Sequence, residues 1–389
     1  MSSIFYYAFL FLWGITKGID IGIQGRAAFI CMVLGGICWF LKIVTTSYSR
    51  RQIITNTGLM LLGAVSYLMI HRLGVLTAVM IIIGAEQTNY KSALKVLLLL
   101  QVLLLLSRIV PEIIRVSQGE MWSGLFQERK VLGIWGGSQQ YRMSLGFYHP
   151  NELYKTIFLI TAFAVSVYLD QLKAWQLTIF FVLNLSVYFV TFSNTALAIE
   201  IVFFVMILGT KNNRNSIIWL TKNGQWIFSG TVFLIIAICI LYSKDRTLLE
   251  KINHFLTGRV RWANAYIKAV GFSIWGRSIE NVDVPYKGLD CGYVHILLRY
   301  GIAVLGTYCV MGYQLLKKMS KKNCYTGIAL LLSLNFFFVT ENFLMIAFQN
   351  CTWLMIGAIL FSEYGQDHEK EKRDSVSLYL KKKLRKEKR

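Results

Sequence analysis

The sequence predicts an all-α fold: a polytopic transmembrane helical bundle of about twelve spans with two large extracytoplasmic loops. Three observations carry this. Of 389 residues 55% are hydrophobic, only 16% are charged, and mean hydropathy is +0.51. A hydrocarbon core of ~30 Å is crossed by about 20 apolar residues in helical form, and runs of that order recur along the chain. The basic residues, 41 against 20 acidic, gather in alternate connections.

Taken in order, the spans are expected near 4–16, 27–44, 57–70, 73–85 and 94–110. The first is no cleavable signal, because it lacks a basic leading region and a small-x-small site. Pro111 opens a long loop, 111–150, and apolar runs resume at 153–169, 175–192, 195–209 and 226–243. A second long loop covers 244–290, before runs at 293–316, 326–339 and 343–361. All three prolines (Pro111, Pro150, Pro285) fall in or beside these loops. Long structured loops in a compact protein usually carry function. Residues 1–362 read as a single transmembrane domain, followed by a cytoplasmic basic tail, 363–389, suited to anionic lipid.

A net charge of +21 could suit nucleic acid, but its distribution instead sets orientation. Lys42/Arg50/Arg51, Lys91/Lys95, Lys173, Lys211/Arg214/Lys222 and Lys317/Lys318/Lys321/Lys322 fall on alternate connections. With both termini cytoplasmic these obey the positive-inside rule, and both long loops face outward. Membrane lipids are thus expected partners and nucleic acid is not. The seven cysteines lie singly with no C-x-x-C pair, which argues against a zinc site and a disulfide framework.

Four outward span ends begin with polar residues: "YHPNEL" (148–153), "FSNTAL" (192–197), "LDCGYV" (289–294) and "TENFL" (340–344). Helix N-termini present unpaired N–H groups and about half a positive charge, which favours anions. Pro150 suits the first helical turn with His149 capping it, and Asp290 is placed to cap the helix that follows. Ordinary capping accounts for each end alone; four of them beside arginine-bearing loops make an anion site a candidate. In the second loop "GRVRWANAYIKAV" (258–270) sets Trp262, Ala265, Tyr266 and Ala269 on one stripe, as in a helix lying at the membrane interface. Glu200 sits in the apolar run "TALAIEIVFF", where an ionisable group is expensive and takes a partner or faces a cavity; Lys155 is the candidate partner. Arg299, nine residues past Asp290, is either deep in the bilayer or on a helical extension above it.

"RMSLGFYHPNELY" resembles the segment that opens a span in bacterial polysaccharide polymerases of the Wzy type, within the O-antigen ligase-like superfamily. "GRVRWANAYIKAVGFSIWGRS" (258–278) is similar to that family's arginine- and tryptophan-bearing loop, and "DCGYVHILLRYGIAVLG" (290–306) to its following element. The resemblance implies joining of undecaprenyl-diphosphate-linked oligosaccharide repeat units into capsular, exo- or O-antigen polysaccharide on the outer face of the bacterial cytoplasmic membrane. A hydroxyl of one unit attacks the anomeric carbon of a growing chain, and lipid diphosphate departs with inversion. Such an enzyme takes no cofactor, no metal and no nucleotide sugar. Its partners are the lipid-linked oligosaccharides, with the pathway's flippase and chain-length regulator as candidates. A departing diphosphate needs preorganised positive charge, and arginine forks bind phosphate bidentately. Arg142, Arg259 and Arg277 are the candidates, with Asn151 and Tyr293 as further substrate contacts. Asp290 or His149 is the expected general base, and Glu200 and Arg299 are intramembrane support. The chain departs from the family at Ser193-Asn194-Thr195, where many relatives carry an arginine. A ligase-like transferase and a lipid-linked oligosaccharide flippase or transporter are the alternatives; ligases tend to carry a histidine in place of Asp290.

Overall fold

The computed structural model describes residues 2–18, 25–119, 126–133, 136–212, 215–243, 246–285 and 288–361. The basic tail expected at 363–389 lies outside them. The helices are α1 (Ser2–Trp13, continued by a π-helical turn to Gly18), α2 (Gly25–Val44), α3 (Arg50–Ile70), α4 (Gly74–Ala85) and α5 (Tyr90–Ser117). A hairpin of β1 (Phe126–Gly133) and β2 (Gly136–Met143) follows. Then come α6 (Pro150–Tyr168), α7 (Ala174–Thr191), α8 (Asn194–Lys211), α9 (Asn215–Lys222) and α10 (Gly224–Leu241). The last stretch holds α11 (Thr247–Phe255), α12 (Arg259–Val270), α13 (Gly292–Arg299), α14 (Gly301–Lys321), α15 (Tyr325–Thr340) and α16 (Thr352–Met355, continued to Phe361).

Among the described residues six helices (α2, α3, α5, α7, α8 and α10) are long and apolar enough to cross a membrane, with shorter apolar helices at α1, α4, α15 and α16. The chain is an all-α membrane protein with one small antiparallel hairpin. Burial separates the helices by position. The outer ones expose apolar side chains, such as Phe40 on α2, Leu68 on α3, Phe189 on α7 and Phe233 on α10. Lipid is as apolar as these side chains, so nothing drives them inward. By contrast α4, α15 and α16 are buried along nearly their whole length and form the centre.

Four expectations need correction. Helix α5 runs through Pro111 to Ser117 instead of ending there, since neighbouring groups in a membrane bundle can take up the backbone bond that proline omits. The run 293–316 breaks at Tyr300, so that α13 sits as a helical extension above α14 and Arg299 is its last residue. Gly301, at φ +88°, makes this break possible; a Cβ there would lie 2.2 Å from the Ile274 carbonyl oxygen. The final helix starts at Thr352, and residues 341–351 form a buried non-helical segment. Its Leu344 carbonyl accepts from both Asn350 Nδ2 and Trp353 Nε1 (2.9 and 3.0 Å).

Lastly, α12 packs through a face that shares only Tyr266 with the expected stripe. Val260, Ala263, Tyr266, Ile267 and Val270 are buried, and Asn264 Nδ2 donates to the Cys239 and Ile240 carbonyls at the end of α10 (2.8 and 3.3 Å). Those carbonyls are among the last four of a helix and have no partner within it. The amphipathic helix with an exposed apolar side is its neighbour α11, through Leu248 and Phe255. At the other end of the bundle, buried Lys42 donates to Thr46 Oγ1 (2.7 Å) and the Glu86 carbonyl (3.0 Å). There Gln52 Nε2 joins Glu86 Oε2 to the Phe361 carbonyl, 3.0 Å each, tying α3, α4 and the end of α16 together.

Candidate functional site

A cavity of about 530 Å³ opens where β2, the starts of α6, α8 and α12, the approach to α13 and the end of α15 converge. Its walls include Arg142, His149, Asn151, Arg259 and Asp290, five of the expected site residues. The helix directions set it at the end of the bundle remote from Lys91, Lys173, Lys211, Lys222 and Lys321.

Each side chain is delivered by local structure. In the hairpin Gln127 pairs with Arg142 near the end of β2. The chain then turns over α5 at Gly146, whose φ is +82° and where a Cβ would lie 2.4 Å from the Arg108 carbonyl oxygen. Only glycine fits so close a crossing. The turn leads into His149, extended at φ −145° and ψ 144°, which caps α6 by accepting the Asn151 N–H at Nδ1 (3.1 Å), with Pro150 in the first turn.

The polar groups form one chain of hydrogen bonds. Arg142, only 4% exposed, donates through Nε to the Thr191 carbonyl at the end of α7 and through Nη2 to Asn151 Oδ1, both at 2.6 Å. Asn151 Nδ2 donates to Glu341 Oε1 (3.0 Å), and Arg259 Nη2 donates to the same oxygen (2.9 Å). Arg259 Nε reaches Asp290 Oδ2 (3.3 Å) and Nη1 reaches Thr257 Oγ1 (3.4 Å). Two arginines more than a hundred positions apart are thus joined through Asn151 and Glu341. Ser193, at the start of α8, lines the cavity with a buried hydroxyl that has no hydrogen-bond partner among the described residues.

Glu341 is the residue that sequence reasoning missed. By composition "TENFL" is the polar start of a span, whereas Glu341 follows the C-terminus of α15. The available signal was an acidic residue at the end of an apolar run. Burial pushes its carboxyl above the ordinary carboxylate range; Arg259 and Lys155 oppose the shift, and Asp290 and Glu152 add to it. His149 is shifted down, first by burial and then by Arg142, so its neutral form is favoured. With Nδ1 accepting from the Asn151 amide, the neutral ring carries its proton on Nε2 and offers a donor to the cavity. That disfavours His149 as the base. Asp290 does not cap α13, whose N-cap is Cys291; it is engaged by Arg259.

The remaining expected residues lie elsewhere. Arg277 has an exposed side chain whose Nη1 donates to the Val270 carbonyl (3.0 Å), outside the cavity. Tyr293 is fully buried, and its hydroxyl donates to the Asn335 carbonyl (3.0 Å) and side chain, fastening α13 to α15. Arg299 Nη2 donates to Glu280 (2.7 Å), which also pairs with Arg72. Both arginines hold the Glu280 carboxyl below its usual range, Arg299 the more strongly. Glu200 is buried beneath the cavity walls and accepts from the Tyr154 hydroxyl. The expected partner, Lys155, instead pairs with Glu152 and lies 4.9 Å from the centre of the Phe343 ring. These placements follow the helix periodicity: Lys155 is one turn past Glu152, whereas Tyr154 faces α8.

The arrangement offers guanidinium and N–H donors beside carboxylates in a half-enclosed space, which suits an anionic, hydroxyl-rich ligand. Among the described residues no group of histidine, cysteine, aspartate and glutamate side chains could hold a metal ion. No family model matches the chain, nor does any curated protein or solved structure.

Proposed function

We propose that the protein is a Wzy-type polymerase, joining undecaprenyl-diphosphate-linked oligosaccharide repeat units on the outer face of a bacterial cytoplasmic membrane. The observation that supports this best is the convergence of Arg142 and Arg259, from two different long loops, on the Asn151–Glu341 pair in one cavity. In this reading the two guanidinium groups and the Ser193 hydroxyl, at the N-terminus of α8, receive the diphosphate. Charge developing on the bridging oxygen is met by donors already in place, with little reorganisation during the step. The Nε2–H of His149 binds a sugar or phosphate oxygen. Asp290 keeps Arg259 aimed, since a guanidinium held on two sides has little freedom to turn away. The basic end remote from the cavity is the cytoplasmic one, by the positive-inside rule.

Deletion of the gene, followed by sizing of lipid-linked glycans, tests the reading. Single repeat units accumulating outside the membrane are the expected result. Units trapped on the inner side would make the protein a flippase, and full-length polymer lacking only its final acceptor would make it a ligase. Orientation is checked separately: Asp283→Cys is expected to react with an impermeant thiol reagent in intact cells, and Lys321→Cys is not.

A further inference from the structure

We infer that Glu341 is the general base of the transfer, taking the proton of the acceptor hydroxyl at its Oε2 atom. This rests on the polymerase reading above. Both hydrogen bonds to the carboxylate, from Asn151 Nδ2 and Arg259 Nη2, fall on Oε1. Among the described residues Oε2 accepts none, and Glu341 lines the cavity while its side chain is only 12% exposed. Two donors on one oxygen fix the plane of the carboxyl group and leave the second oxygen as the acceptor. Through Asn151 the group is also tied to Arg142, so a diphosphate held by both arginines lies beside it. Asp290 is less constrained: among the described residues a single donor, Arg259, holds it, and its side chain is 40% exposed. His149 has its acceptor nitrogen occupied by the helix cap.

The step balances without a further reactant. The acceptor oxygen forms a bond to the anomeric carbon, and the carbon–oxygen bond to the lipid diphosphate breaks, the leaving group keeping the electron pair. The hydroxyl proton passes to Glu341 Oε2 and is lost to water when product moves on. The charged groups facing the carboxyl are Arg259 from α12, Lys155 and Glu152 from α6, and Asp290 from the approach to α13. Partial desolvation raises its affinity for a proton, which makes a better base near neutrality than an exposed carboxylate would be.

The test uses purified full-length protein in phosphatidylethanolamine–phosphatidylglycerol liposomes. The substrate is the single-unit lipid-linked glycan extracted from the deletion strain. Glu341→Gln can still accept from Asn151 and Arg259 through its amide oxygen, so the pocket is kept while the basic oxygen is lost. The expected result is a kcat lowered about 10²–10⁴-fold, little change in KM, and disappearance of the acid limb of the pH–rate profile. Glu341→Asp is expected to retain a slower reaction whose acid limb moves to lower pH. A Gln variant that works at the parental rate overturns the inference. So does a loss confined to KM, or a residual rate that keeps the parental acid limb, for then Glu341 only positions Arg259. Should the Gln variant not fold, an Asp variant with an unmoved acid limb overturns it equally. A parent protein that forms no polymer overturns this inference and the polymerase reading together, whereas the preceding outcomes leave the latter standing.

Discussion

Replacing Arg142 by lysine retains the charge and removes the fork. In the parent, Nε and Nη2 point to different acceptors, the Thr191 carbonyl and Asn151 Oδ1, each at 2.6 Å. A lysine ammonium is one nitrogen on a flexible stem and can serve one of those acceptors at a time. The other is left without its donor in a place that water scarcely reaches, Arg142 being 4% exposed. Loss of one hydrogen bond to a charged group is worth about 1.5–3 kcal/mol. At ~1.4 kcal/mol per factor of ten, that equals roughly a 10- to 100-fold effect if it falls wholly on the transition state. Part of it falls on the fold, because the same side chain fastens the hairpin to the end of α7. Arg142→Lys is therefore expected to lower the melting temperature of the detergent-purified protein and to cut polymer formation by up to roughly 100-fold in the complemented deletion strain. Arg142→Ala should be worse in both, since the buried stem is lost as well. A lysine variant with parental melting temperature and parental polymer yield would refute the bidentate account.

Arg259→Ala is expected to abolish polymer, whereas Arg277→Ala, whose exposed side chain bonds the Val270 carbonyl outside the cavity, should leave polymer length and yield close to parental; equal losses in vivo would contradict the cavity assignment. The depressed proton affinity of His149 gives a signed pH effect. Below about pH 6.5 the unfolded chain protonates this imidazole and the folded chain resists, so stability is full above that pH and declines as pH falls toward the folded value. Thermal melts of the parent should thus drop more between pH 7.5 and 5.5 than those of His149→Gln, and parallel curves would remove the effect. Tyr154→Phe takes the donor from the buried Glu200 carboxylate and is expected to cost about 1–3 kcal/mol of stability with no change in polymer length. An unshifted melting curve would show that Glu200 does not depend on it.

The membrane-helix character of the chain was plain in its composition, and so was much of the cavity. His149, Pro150 and Asn151 are contiguous before an apolar run, with Arg142 seven residues upstream, and capping chemistry predicts the helix start at His149 and Pro150. What escaped was whatever depends on a partner remote in sequence. Glu341 looks like the opening of a span because residues 343–361 are largely apolar, and a buried non-helical segment can match a helix in composition. Arg277 and Arg259 share one loop and one residue type; only packing separates the buried one from the exposed one. Tyr293 lies three residues from Asp290, yet a helix turn carries its ring inward against α15 while Asp290 stays at the cavity. For Lys155 and Glu200, both rare charges near one membrane level, pairing was a fair expectation, but each had a nearer polar neighbour.

The ties to Glu341 also impose an order on biogenesis. It bonds Asn151 across 190 positions of sequence and Arg259 across 82. Chains are synthesised at about 5–20 residues per second, so Asn151 waits roughly 10–40 s for its acceptor to be made. Until then α6 and α12 pack only on earlier helices, and the Arg259 guanidinium lacks the Glu341 carboxylate that accepts its Nη2. Of the central helices α4, α15 and α16, the last two are translated after every other described helix, so they close the assembly as a keystone closes an arch. A chain that stalls before residue 341 is therefore left with an unfinished charge network rather than a weakened copy of the site. That distinction gives membrane quality control a mark by which incomplete molecules differ in kind from complete ones.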